Sequence, residues 1–193
     1  MPKLLKVANK NLATEAKTCA GPPSFGYSSA ATGNAISAVS DLDLTLDVFG
    51  DDLGAAIVAK SDDKDVAGCQ KAVLAGITSC QKTRRAEFVR CKKAGLKNGA
   101  IHDAATLAGC VGADPKGKVA KVCDNTSGKL AMKTIDKSCT ARGVDLSDAF
   151  PGCGTDDPAL LAECIDQNGA CATCLMFQQA DALDETACSD VCE

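Results

Sequence analysis

Apolar residues recur at helical spacing along most of the chain. Near the N-terminus, Leu4 or Leu5, Ala8, Leu12 and Ala16 follow this spacing, and lysines and asparagines fill the opposite side. No stretch outside 42–48 shows the alternation of paired strands, so the predicted fold class is all-α. Capping and breaking residues set the predicted helices at 3–18, 34–50, 53–60, 62–94, 103–111, 115–139 (broken near 125–128), 158–168 and 170–183.

Residues 42–48 fit two structures. From Leu42 to Val48, apolar residues alternate with Asp and Thr, which is typical of a half-buried strand. The same residues also continue a longer helical pattern that begins at Ala35. We favour the helix, because its pattern is longer and no second strand is evident for pairing. A strand here would stand alone and would need a partner chain.

The longest predicted helix, about residues 62–94, has no proline and carries Cys69, Cys80 and Cys91. Each gap of eleven residues is three helical turns, with about 20° of drift and a rise of about 16 Å. The three cysteines therefore share one stripe, too far apart to bond to one another, since a disulfide needs Cα atoms within about 7 Å. Gly95 is the predicted end of this helix. The expected partners of the stripe come from Cys19, Cys110, Cys123 and Cys139.

The amino-acid composition predicts that disulfides cross-link this helical bundle. Only six of the 193 residues are aromatic, so the apolar core is thin for the length of the chain. Thirteen cysteines compensate, and they favour an irregular helical bundle stapled by disulfides, organised on the long helix, over a thiolate metal store. Because the number is odd, six bonds leave one thiol, either free or bonded to another chain. The cysteines are Cys19, Cys69, Cys80, Cys91, Cys110, Cys123, Cys139, Cys153, Cys164, Cys171, Cys174, Cys188 and Cys192.

The cysteine content indicates an oxidising compartment, and the N-terminus does not explain how the chain would reach one. No apolar run approaches the roughly 18 residues of a membrane span, and MPKLLKVANK lacks the apolar core of a signal peptide. We therefore expect the numbering from Met1 to begin inside a longer precursor or at a misassigned start. The expected location is extracellular, at the cell surface or in the periplasm.

Charge divides the chain into three segments. Residues 1–60 hold 5 basic and 6 acidic groups (net −1), and they form an N-terminal segment of helices with a Pro/Gly loop. Residues 61–142 hold 16 and 8 (net +8), and they form a basic helical core. Residues 143–193 hold 0 and 11 (net −11), and they form an acidic, cysteine-rich end. We interpret these as sub-domains of one disulfide-linked unit.

The sequence offers little catalytic chemistry. His102, the single histidine, lies in a predicted turn, where a surface position or a helix cap is expected. The chain has no GxxxxGKS phosphate loop and suggests no small-molecule substrate, so we expect no enzymatic activity. A basic face over 82–97 has few aromatics beside it and an acidic end on the same chain, which argues against nucleic-acid binding.

Four C-terminal cysteines carry the alternative chemistry. Cys171 and Cys174 form a CxxC pair, but no βαβ context supports a thioredoxin-like site and no histidine follows for haem attachment. With Cys188 and Cys192, which are spaced by one turn, they offer four thiolates for a soft metal such as copper or zinc. Two ordinary disulfides are the favoured interpretation.

Several stretches resemble a family of cysteine-rich proteins of Gram-negative bacteria. They are CAGPPSFGY, GCQKAVLAGITSCQKTRRAEFVRCKKAGLKNG, CVGADPKGKVAKVC, VDLSDAFPGC and CATCLMFQQADAL. Members of that family are helical proteins predicted to be exported, often with repeated CQKA-type helices. The resemblance implies an exported context and further sequence upstream, and it supplies no catalytic residue.

The function predicted from these observations is that of an exported, disulfide-stabilised structural or interaction protein that assembles with itself. Opposite charge blocks on one chain can pair head to tail between copies, and such contacts build rings or filaments. Pairing of the acidic end with the basic helix of the same chain is the competing interpretation. A thiolate metal-binding protein is the alternative function.

Overall fold

A computed structural model of the chain describes residues 2–19, 21, 24–124 and 127–192, and within these ranges it contains no β-strand. The all-α prediction is confirmed, and the expectation about Met1 lies outside the described residues. The α-helices are α1 (Pro2–Thr18), α2 (Ala30–Phe49), α3 (Leu53–Ala56), α4 (Lys64–Asn98), α5 (Ala104–Ala108), α6 (Lys118–Cys123), α7 (Asp136–Ser138), α8 (Leu146–Ala149) and α9 (Pro158–Ala180). A π-helical segment (Leu130–Ile135) and 3₁₀ turns (Thr140–Arg142 and Glu185–Cys188) complete the set.

Helix α4 is the 35-residue element around which the other elements pack. The Asp63 side chain begins it by accepting hydrogen bonds from the amides of Asp65 and Val66 at 2.8 and 3.0 Å. It ends at Gly99, whose positive φ of 77° is a left-handed conformation that glycine adopts without strain. The predicted end at Gly95 is wrong, because Gly95 is buried inside the helix where the Ile101 side chain packs against it.

The chain after α4 runs back along the same helix. Three disulfides join it at successive levels, and their pairing confirms the cysteine stripe: Cys91–Cys110, Cys80–Cys123 and Cys69–Cys139. The Cα atoms within each pair are 4.8–5.6 Å apart. The order of the pairs shows that the return path is antiparallel to α4.

The apolar core has two clusters, each with one pair of phenylalanines. In the first, Phe49 and Phe150 meet with ring centroids 5.4 Å apart. In the second, Phe88 and Phe177 stack at 3.8 Å, and Phe25 from the loop after α1 packs against them. The first cluster draws side chains from all three charge segments, so packing joins these segments.

Helices α1 and α2 form an antiparallel hairpin. The Asn11 side chain donates to Asn34 at 2.7 Å, and the Ala30 amide donates to the Glu15 carboxylate at 2.7 Å. The segment that was ambiguous between helix and strand, 42–48, lies inside α2 as favoured, and α2 begins earlier than predicted because Ser29 is its N-cap.

Helix α9 is one continuous helix, so the predicted division at Asn168 and Gly169 is wrong. Asp157 caps its start and Pro158 occupies the first turn, as expected. Gly169 is buried where Leu44 of α2 approaches, and a Cβ there would lie 4.0 Å from the Leu44 side chain. Burial against α2 thus outweighs the intrinsic cost of glycine inside a helix.

Other helices are shorter than predicted, because side chains compete for their ends. Gln70 donates to the Ala56 carbonyl at 2.8 Å and accepts from the Val58 amide at 3.0 Å, which ends α3 at Ala56. Asp114 caps α6 from outside it by accepting from the amides of Lys118 and Ala120.

Two further boundaries differ from the prediction. The predicted 103–111 helix is limited to α5, and the predicted 115–139 helix is interrupted after Cys123, with residues 125 and 126 of the break outside the described part.

The six disulfides each lie within one charge segment. Three are in 61–142, and the other three are in 143–193: Cys153–Cys164, Cys171–Cys192 and Cys174–Cys188. The N-terminal segment has only Cys19, which is free. Segments 1–60 and 143–193 are held to the rest by packing, hydrogen bonds and ion pairs.

One glycine sets the close approach of α2 to the loop before α9, and it gives a stability prediction. A Cβ on Gly152 would lie 2.2 Å from the Asp47 carbonyl oxygen, which is backbone and cannot rotate away. We expect Gly152→Ala to lower the free energy of unfolding by about 1–3 kcal/mol in non-reducing urea titrations. Gly33→Ala is the control, because nothing lies within 4 Å of its Cβ. It should leave stability unchanged or raise it by up to about 1 kcal/mol. Equal effects would contradict the packing argument.

Candidate functional site

The C-terminal cysteines that were candidates for a metal site form two disulfides. Cys171 is bonded to Cys192 and Cys174 to Cys188, and both bonds fasten the turn after α9 to the helix itself. The favoured interpretation of two ordinary disulfides is therefore the one observed. The CxxC cysteines have separate partners, and a thiolate site at these four sulfurs would first require reduction of both bonds.

A second group of possible ligands lies at the middle of α4. The sulfurs of Cys80 and Cys123 and a carboxylate oxygen of Asp166 all lie within 4.8 Å of one another. The two sulfurs are bonded to each other, and the Asp166 carboxylate forms an ion pair with Arg84. Burial raises the pKa of Asp166, Arg84 opposes that shift, and the charge of Asp124 adds to it. With Cys80 and Cys123 oxidised, these residues form a disulfide cross-link beside the part-buried Arg84–Asp166 ion pair.

The free thiol lies at the C-terminal end of α1, beside an aromatic contact. Cys19 is half-buried, and its sulfur is 3.6 Å from the Thr18 hydroxyl. Nearby, the Tyr27 hydroxyl donates a hydrogen bond to Glu15, which also accepts from the Ala30 amide. The hydrogen bond from Tyr27, and then that from Ala30, lowers the pKa of Glu15. These contacts join Tyr27 and the start of α2 to α1.

The basic and acidic segments do meet within one chain. Arg84 pairs with Asp166 on α9, and Lys92 pairs with Asp181 just after α9 while also donating to the Gly26 carbonyl at 2.6 Å. These contacts agree with the interpretation in which the acidic end binds the basic helix of its own chain. Of the other acids in this segment, six have no recorded ion pair with a described basic side chain: Asp145, Asp148, Asp156, Asp157, Glu163 and Asp190.

His102 is exposed, as expected for a surface residue. Its ring nitrogen lies 3.6 Å from an Asp103 carboxylate oxygen. Asp103 accepts from the Thr106 amide and hydroxyl, which lowers the pKa of its carboxyl group. The Asp103 carboxylate therefore serves as the N-cap of α5.

An open groove of about 730 Å³ runs between the second half of α4 and the chain after it. Its floor is formed by the Cys91–Cys110 disulfide and Ile101. At one end, Glu87 is only 2% exposed, binds Arg90 and lies 3.6 Å from the Lys118 ammonium. Glu87 and Arg90 are thus paired with each other, the third charged residue of the lining, Asp114, caps α6, and the rest of the wall is largely apolar.

The α1–α2 hairpin carries a large share of the exposed apolar surface. Of the eleven large apolar side chains that are exposed in the described part, five belong to this hairpin. They are Leu5, Val7, Leu12, Val39 and Leu42, with Leu5 63% and Val39 58% exposed. They lie on more than one face of the hairpin, since Val39 is about 140° around α2 from Asn34, which contacts α1. Apolar side chains exposed in this way are stabilised when another molecule removes them from water.

Sequence reasoning missed two features that the fold brings together. The Glu15–Tyr27 contact joins a helix to a loop, and no local pattern indicates it. Asp43 and Asp47 form an acidic stripe on α2 that has no ion pair with any described residue, and their four-residue spacing indicates a shared face only if 42–48 is helical. No described helix is both long enough and apolar enough to cross a bilayer.

No protein-family model, curated protein or solved structure matches the chain.

The single tyrosine gives a direct test of the loop contact. The Glu15 hydrogen bond raises the pKa of Tyr27 to about 12, with burial and the charges of Glu15 and Cys19 adding to it. Because the phenol is neutral when it donates, this contact is intact below about pH 10, the ordinary pKa of tyrosine, and is lost as the pH rises through about 12.

We expect phenolate absorbance, read immediately after a pH jump, to show one transition near pH 12. Glu15→Gln should move its midpoint toward about 10, and Glu163→Gln should not. An unchanged midpoint in the Glu15 variant would show that this hydrogen bond does not control Tyr27.

Proposed function

We propose that the protein is an exported, disulfide-stabilised structural protein that assembles with copies of itself. It acts through surface contacts and performs no reaction. The observation that carries this proposal is the concentration of exposed large apolar side chains on the α1–α2 hairpin, which has five of the eleven in the described part, because a second copy that covers them removes apolar surface from water.

The exported location is supported by the use of cysteine. Twelve of the thirteen cysteines are in disulfides within the chain. Disulfides persist in oxidising compartments and are rare where thiol reductants act. An extracellular, cell-surface or periplasmic location follows, in keeping with the exported bacterial family that the sequence resembles.

The uneven charge supports assembly between copies. Arg84 and Lys92 are occupied by Asp166 and Asp181 of the same chain, but six other acids of that segment, among them Asp148 and Glu163, have no recorded ion pair with a described residue. Exposed carboxylates on one copy can attract exposed lysines on the next, and such unlike contacts generate rings or filaments.

A soft-metal-binding function remains the second candidate, since thirteen cysteines are also suited to thiolate ligation. The two candidates differ in one measurable quantity, the number of free thiols in protein purified without reductant.

For the structural protein we expect one free thiol per unfolded chain before reduction and thirteen afterwards. Cys19→Ser should lower the first value to zero, because Cys19 is the free cysteine. A result of twelve or thirteen thiols before reduction would reject the disulfide framework and favour the metal store.

Assembly is tested by sedimentation of the Cys19→Ser chain, which excludes covalent dimers through that thiol. We expect the sedimentation coefficient to rise with protein concentration at low salt and to fall as salt screens the charges, since the Debye length is about 10 Å at 0.1 M. A monomer at every concentration and ionic strength would reject self-assembly.

A further inference from the structure

One groove on α2 combines apolar walls with unpaired carboxylates. It lies between α2 and α9, encloses about 150 Å³, and presents the exposed side chains of Val39 and Leu175. The Ser40 hydroxyl donates to the Ala172 carbonyl at 3.1 Å and joins the two helices at its base. The groove is therefore a built feature of the helix packing.

The charge of this groove lies on one wall. Asp43 and Asp47 project from α2 one turn apart, whereas the α9 wall offers uncharged groups such as Asn168 and Gln179. Neither carboxylate has a recorded ion pair with a described residue. Burial raises the pKa of Asp47, and the charges of Asp43 and Asp51 add to it. The helix dipole places partial negative charge at the C-terminal end of α2, which disfavours carboxylates there. The last turn of α2 has no basic residue to offset this charge.

Helix α1 has the complementary surface. Leu5 and Leu12 share an exposed apolar stripe, and Lys6 and Lys10 share a second stripe about 120° around the helix. The lysines are four residues apart, which is the spacing of Asp43 and Asp47, about 6 Å along a helix. No recorded ion pair joins these lysines to a described residue. On both surfaces, an apolar strip has charge on one flank only.

The geometry prevents α1 from filling the groove of its own hairpin. It packs against Asn34, which is nine residues from Asp43 and therefore on the opposite side of α2. One copy can thus offer its own α1 and receive another copy's α1 at the same time.

We propose that α1 of one copy docks in the α2–α9 groove of a second copy, with Lys6 and Lys10 binding Asp43 and Asp47. This inference rests on the proposed self-assembly and names the two surfaces that build it. Because the surfaces differ and lie apart, the contact is head to tail and propagates into an open chain or a closed ring.

The test reverses the charge on each surface separately, in the Cys19→Ser background. Lys6→Glu with Lys10→Glu places like charges against the groove, and Asp43→Lys with Asp47→Lys does the same from the other side. Each double variant should weaken association by about tenfold or more. An equimolar mixture of the two should restore it, because each α1 then faces a groove of opposite charge. A chain with all four changes should also associate.

Two controls keep the test specific. Lys116→Glu with Lys137→Glu makes the same change in net charge on exposed residues elsewhere and should leave association intact. Far-UV circular dichroism and the absence of free thiols confirm that each variant has the parent fold and disulfides.

The outcomes separate the two proposals. If the parent chain associates and neither double variant changes this, the docking surfaces are wrong and self-assembly stands. If the parent chain is monomeric throughout, both are wrong. Vesicles of phosphatidylcholine with phosphatidylglycerol test the competing occupant, since an amphipathic basic helix can also lie on an anionic membrane. Lys6- and Lys10-dependent vesicle binding by a monomeric chain would overturn docking between copies.

Discussion

The structure depends on the cross-linking of one long helix to the chain that returns along it. Helix α4 is 35 residues long, but α5, α6 and α7 have only five, six and three residues. Isolated helices shorter than about 12 residues are marginal in water, so these segments need tertiary constraints. Disulfides from Cys69, Cys80 and Cys91 hold them at three levels of α4. In the chain-entropy model each closed loop of this size stabilises the fold by about 3–4 kcal/mol, which compensates for a core with few aromatic residues.

The rest of the molecule is joined to this frame by weaker interactions. The acidic segment has three disulfides of its own, yet its connection to α4 uses core packing and the ion pairs of Arg84 and Lys92. The N-terminal hairpin has no disulfide, and Leu44 and Phe49 anchor its second helix in the core. Helix α1 is therefore the least constrained large element, and three large apolar side chains, Leu5, Val7 and Leu12, are exposed on its 17 residues. The exposed apolar side chains that leave α1 weakly held within one chain also suit it for contact with a second chain.

Charge acts at two scales in this protein. The large imbalance between the basic and acidic segments is partly neutralised inside the chain, where Arg84 and Lys92 lie against α9. Local imbalances persist at the surface, in the lysine stripe of α1 and the Asp43–Asp47 stripe of α2. Because salt screens exposed charges strongly and buried pairs weakly, the two scales respond differently to ionic strength.

The sequence by itself determined the fold class and the long helix with its cysteine stripe, because helical periodicity and the eleven-residue spacing are local properties of the chain. It offered four candidate partners for that stripe, of which Cys110, Cys123 and Cys139 form the bonds. It also indicated that the four C-terminal cysteines form two disulfides. Only the tertiary structure decided which cysteine pairs with which, and that Cys19 is the one left over, because pairing depends on the antiparallel return of the chain. It likewise carried α9 through Gly169 and α4 past Gly95, since both glycines are buried against a neighbouring element, and at Gly95 the Ile101 side chain occupies the space that a Cβ would need. The opposed surfaces of α1 and α2 became visible for the same reason: which face of a helix is covered depends on its neighbours.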